Sequence, residues 1–144
     1  VSGYRGSPQG ALDQQLQRQR ETLAAARIHV EPGVNEDLAA TAVLGSRQAT
    51  QVPGTDGDGV FAMWYGKGPG VDRSGHAIRH GNRLGSATLG EVLFVFGDDH
   101  SGKSSTTAHQ SEQALAAAEA GWCGEDFIVH GCRAGRHRLI PPTW

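Results

Sequence analysis

The sequence predicts an α/β fold, a parallel sheet flanked by helices. Three observations carry that expectation. Extended and helical segments alternate along the chain. The segment Glu91 to Phe96 is almost wholly apolar, the pattern of a strand buried on both faces. Glycine supplies 21 of 144 residues, about twice its usual share of roughly 7%. It gathers between the regular segments, where tight turns and close backbone approach to a ligand are made.

Taken in order, Ser7-Pro8 joins an N-cap residue to a proline at the first helical position and opens a helix to about Ala26. Leu12, Leu16 and Leu23 mark its apolar face. Ile28-His29-Val30 is a short extended piece closed by Pro32-Gly33. Asn35 caps a second helix, with Glu36 and Asp37 in the first turn, where the helix dipole favours acids. That helix runs through Leu38, Ala42 and Val43 to about Arg47. Gly59 to Tyr65 reads as a buried strand ending abruptly in Gly66-Lys67-Gly68-Pro69-Gly70. A helical stretch follows from about Asp72 to His80, then the strand Glu91 to Phe96, then an Ala-rich helix over about Thr107 to Ala120. The end differs in kind. Asp126 to Val129 has the composition of a strand, whereas Gly131 to Trp144 has no period and finishes Pro141-Pro142-Thr143-Trp144. A frayed end is expected there.

Thirteen Lys and Arg against fifteen Asp and Glu give a formal charge of −2. That balance offers no field for gripping nucleic acid or an anionic membrane, and no interleaving of aromatic and basic residues points to nucleic acid. No apolar run approaches the roughly 18–20 residues that span a bilayer. Cys123 and Cys132 are too few for a secreted disulfide scaffold, and the start, Val1-Ser2-Gly3-Tyr4, has no signal-peptide pattern. A soluble, cytoplasmic chain with a modest core is expected.

One motif invites a nucleotide-binding reading. Gly97-Asp98-Asp99-His100-Ser101-Gly102-Lys103-Ser104 satisfies the P-loop pattern between an expected strand and an expected helix. Against it, Asp98 and Asp99 put two carboxylates into a loop meant to cradle polyanions. No apolar strand ending in an Asp for magnesium follows Ser104. A P-loop module is therefore the runner-up, and a remnant without activity is a third reading.

Four stretches taken together carry a more specific signal: Val1-Ser2-Gly3-Tyr4-Arg5-Gly6-Ser7-Pro8; Pro32-Gly33-Val34-Asn35-Glu36-Asp37 and on to Val43; Met63-Trp64-Tyr65-Gly66-Lys67-Gly68-Pro69-Gly70 and on to Gly75; and Gly97-Asp98-Asp99-His100 with Lys103 to Glu112. In order and spacing they resemble the indolepyruvate ferredoxin oxidoreductases, the large single-chain form of the 2-oxoacid:ferredoxin oxidoreductases. The resemblance covers about residues 1–118. It implies an incomplete three-layer parallel-sheet domain, of the pyrimidine-binding type found in thiamine diphosphate enzymes. Residues 119–144 form a divergent tail, for which a shift of reading frame is one explanation.

The resemblance further implies an enzyme that oxidatively decarboxylates indolepyruvate, an aryl 2-oxo acid, with CoA and ferredoxin. The products are an acyl-CoA, CO2 and reduced ferredoxin. Thiamine diphosphate with Mg2+ would be the cofactor, and the intact enzyme would be a homo-oligomer. The groups for the diphosphate and magnesium, the [4Fe-4S] clusters and the CoA-handling parts lie elsewhere in family members, so residues 1–144 alone are expected to be inactive. Glu36 matches the carboxylate that activates the aminopyrimidine. Arg5 and Ser7 match the turn facing the substrate carboxylate. Gly66, Gly68, Pro69 and Gly70, with Asp98, Asp99 and His100, match cofactor-side positions, and no metal ligand is assigned.

Other constellations are weaker. Asp72, His76 and His80 stand at four-residue steps, as metal ligands can, but an exposed polar helix face explains them better. Cys123, His130, Cys132 and His137 do not have the spacing of a usual zinc framework. Met63, Trp64 and Tyr65 are expected at the core and its rim.

Overall fold

The computed structural model describes residues 1–6, 9–84 and 89–98, together with the strand backbone of residues 127–133 and 136–140. Five strands form one sheet in chain order: β1 (Ser2–Gly3), β2 (Phe61–Lys67), β3 (Glu91–Asp98), β4 (Phe127–Arg133) and β5 (Arg136–Ile140). The first four are parallel, and β5 pairs antiparallel with β4 at the edge. The α/β class with a parallel sheet is as expected. The expected Ala-rich helix at 107–120 lies outside the described residues.

Between β1 and β2 come α1 (Gly10–Arg18), α2 (Arg20–Ala25), α3 (Glu36–Arg47) and a single 3-10 turn, Ala49–Gln51; α4 (Gly68–Leu84) links β2 to β3. Burial along α3 falls on Glu36, Ala39, Ala40, Val43, Leu44 and Arg47, the repeat of one helical face. Val71, Ser74, Ile78 and Gly81 supply the facing stripe of α4. The register pairs Trp64 with Phe94 and Gly66 with Phe96. Their rings form a triad, Trp64 lying 5.8 Å from Phe94 and 5.7 Å from Phe96. This triad, Ala62 and Val92 meet α3 and α4 in the main core. Tyr65 alternates to the opposite face, where α1 covers it.

Several expectations are corrected. The first helix is two helices, broken at Gln19 (φ −100°, ψ 14°), and its N-cap is Gln9 rather than Ser7. The Gln9 side chain makes no cap; its Nε2 donates instead to Gly66 O, 3.1 Å away. α2 closes with Ile28 N donating to Leu23 O and Arg27 N to Ala24 O, with Arg27 at φ 59° in the position glycine usually takes. Residues 28–33 form no strand, yet Glu31 N and Gly33 N donate to Val1 O and Gly3 O, so the segment runs beside β1.

Gly66 to Gly70 is not a loop. Strand β2 continues to Lys67 and α4 starts at once with Gly68-Pro69-Gly70, where a proline costs nothing because first-turn N–H groups have no helical partner. The expected helix at 72–80 thus extends over 68–84. The patternless segment after Gly131 is also corrected. β4 and β5 run through residues 127–140, held by main-chain pairing at the free edge of β3 rather than by a hydrophobic repeat.

Candidate functional site

Parallel strands bring their carboxyl ends to one edge, and α/β proteins bind ligands outside that edge. Arg5 follows β1, Gly68 to Gly70 follow β2, and Asp98 ends β3, so these positions gather there. Ser7, Asp99 and His100 lie outside the described residues, as do residues 99–104 of the P-loop pattern. Gly97 and Asp98 are still strand, paired with Cys132 and Arg133. The space a side chain at Gly97 would need is filled by the Gln9 amide.

Glu36 is the first residue of α3, placed by Asn35, whose Oδ1 accepts Leu38 N at 2.8 Å. It is 7% exposed. Its main-chain oxygen accepts Trp64 Nε1 at 3.0 Å, which ties the helix start to the aromatic triad. Its side chain lies against Gly70, where an added Cβ would run into Glu36 Cγ and stand 3.1 Å from Cδ. The carboxylate therefore sits beside the first turns of both α3 and α4, where helix dipoles favour negative charge. Its ion-pair partner is Arg73, with NH1 3.9 Å from Oε2 and the arginine side chain 61% exposed. An ion pair that long and wet contributes about 0–1 kcal/mol and leaves the carboxylate free to take another partner.

At Gly66 a Cβ would strike the Trp64 indole, so the glycine makes room in the core. Gly68 is buried and Pro69 half-buried in the opening turn of α4.

Arg5 is exposed and lines a cleft of about 420 Å3 with Tyr4, Asp13, Gln17, Pro32, Gly33 and Val34. Glu36 does not line it, so the candidate residues divide between two places on one edge. Asp13 and Gln9 went unforeseen in this region, and so did the tie of Asp13 to Tyr65, whose place in the core was expected. Asp13 is buried, and its Oδ1 accepts the hydroxyl of fully buried Tyr65 at 2.6 Å. Burial first, then the hydrogen bond and charge of Asp13, push the Tyr65 phenol well above its ordinary value. The Gln9 Oε1 is buried and, among the described residues, has no hydrogen bond. Gln9, Asp13 and Gln17 repeat every four residues on one helical face, but Gln14 and Arg18 do so on another, so the spacing alone does not say which face turns inward.

No protein-family model matches this sequence, and no curated protein or solved structure matches it. Among the described residues no group of three or more His, Cys, Asp and Glu could hold a metal ion. The rings of His76 and His80 lie tilted at 41° with centroids 4.3 Å apart on the exposed face of α4. Among the described residues no helix is long and apolar enough to cross a membrane.

Proposed function

We propose that residues 1–118 are part of the pyrimidine-binding domain of a thiamine diphosphate-dependent 2-oxoacid:ferredoxin oxidoreductase acting on an aryl 2-oxo acid such as indolepyruvate. The observation that carries the reading is Glu36: a carboxylate 7% exposed at a helix start, against a glycine a Cβ would fill, with one long ion pair among the described residues. Those features fit the aminopyrimidine end of the cofactor. A carboxylate hydrogen-bonded to a ring nitrogen must be shielded from water and must not be neutralised by a close cation. When bound, the cofactor supplies the nucleophilic carbon that attacks a 2-oxo acid. Glu36 would hold the pyrimidine ring and favour its reactive tautomer, and Arg5 suits the substrate carboxylate.

The test is Glu36→Gln in the full-length protein. The change keeps size and hydrogen bonding and removes charge, so the loss falls on kcat, by roughly 10²–10⁴-fold, with cofactor still bound. A purely structural Glu36 gives a different outcome: stability altered by about 0.3–1 kcal/mol and nearly normal turnover. A loss of tenfold or less would remove the assignment.

A further inference from the structure

The cleft beyond β1 holds two opposite charges that do not satisfy each other. Asp13 is 9% exposed. Its Oδ1 is taken by the Tyr65 hydroxyl, and among the described residues no cation pairs with it. A buried carboxylate without a cation is costly, and one hydrogen bond from a neutral donor offsets only part of that cost. Arg5 lines the same cleft yet forms no ion pair with Asp13. Both groups line one cleft of about 420 Å3, so a molecule carrying the complementary charges can be met by each.

The remaining walls narrow the class. Val34 is 81% exposed and Tyr4 38% exposed, apolar surface that a bound group would cover. The Pro32 to Val34 wall is pinned by Gly33 N donating to Gly3 O at 2.8 Å, so it is formed before anything binds. A volume of about 420 Å3 suits a small molecule rather than a polymer.

We propose that this cleft binds a small zwitterion, an α-amino acid with an apolar side chain, its ammonium at Asp13, its carboxylate at Arg5 and its side chain against Tyr4, Pro32 and Val34. The ammonium relieves the buried charge, which makes Asp13 the stronger of the two anchors. Exposed Arg5 gives up hydration on binding and adds less. The proposal shares Arg5 with the reading above but uses neither Glu36 nor a cofactor, and its calorimetry needs no turnover, so the two can fail separately.

Calorimetry on the 144-residue chain with three probes tests it: L-phenylalanine, 3-phenylpropionate without the ammonium, and phenethylamine without the carboxylate. Phenylalanine is expected to saturate the protein and to bind about tenfold or more tighter than 3-phenylpropionate, the measure of a charged hydrogen bond. Phenethylamine falls between them. Asp13→Asn keeps an acceptor for Tyr65 but removes the charge, and should erase the preference for phenylalanine over 3-phenylpropionate. Arg5→Gln should erase the smaller preference over phenethylamine. Equal affinities for the three probes, or no saturable heat with phenylalanine, would overturn the proposal. Should Asp13→Asn fail to fold by circular dichroism, the ranking of probes on the unsubstituted chain decides alone.

Discussion

The Tyr65 hydroxyl and Asp13 share a hydrogen bond of 2.6 Å between a strand and the helix that covers it. The pair works as a pH-dependent tie. Its sign follows from the phenol, whose ionisation is pushed up in the folded protein by burial and by Asp13. In the unfolded chain a tyrosine ionises near pH 10. Below that pH the tie contributes fully. Above it the unfolded chain loses a proton that the folded one keeps, so stability falls as pH rises. Urea unfolding at pH 8 and at pH 11 should show this loss in the unsubstituted protein and a smaller loss in Tyr65→Phe. Equal losses would mean that Tyr65 does not contribute. Asp13 and Gln9 show why such residues escape a linear reading. Each looks like one more polar residue on a Gln-rich helix, and only the sheet opposite reveals which face is turned inward.

At the scale of elements, strong local chemistry was legible and long-range pairing was not. Asn35 with Glu36 and Asp37 announced α3 to the residue, because capping is decided within one turn. The apolar run after Glu91 announced β3 for the same kind of reason. The start of α4 was hidden, since glycines around Pro69 read as a loop until β2 and the Glu36 side chain hold them. Strand β4 showed only in the composition of Asp126 to Val129, and the rest of β4 and all of β5 had no signal of their own, because their order comes from main-chain pairing along β3 and β4. The break after α2 offers a direct check. Arg27 holds φ 59°, a conformation costing an L-residue about 1–2 kcal/mol, while glycine's greater unfolded freedom returns roughly 0.5–1 kcal/mol of the gain. Arg27→Gly is therefore expected to stabilise the protein by about 0.5–1 kcal/mol in urea unfolding. A destabilised variant would show that the arginine side chain contributes more than its backbone costs.

Across the whole molecule, the α/β class and the shared carboxyl edge were readable, since both follow from alternating segments and parallel pairing. The division of the edge into a Glu36 niche and an Arg5–Asp13 cleft was not, because it depends on where α1 and the Pro32 to Val34 wall come to rest. The proposed chemistry needs more groups than these residues provide: a clamp for the diphosphate, and a path for electrons. Positioning by one half of a site cannot replace them. The decisive measurement is viologen reduction with indolepyruvate and CoA, run on the full-length protein and on the 144-residue chain. The full-length protein is expected to reduce the dye only with the 2-oxo acid, CoA and thiamine diphosphate all present, and the 144-residue chain to give no rate above a protein-free control. A full-length protein that binds thiamine diphosphate and reduces nothing, or turnover by the 144-residue chain alone, would contradict the proposed function.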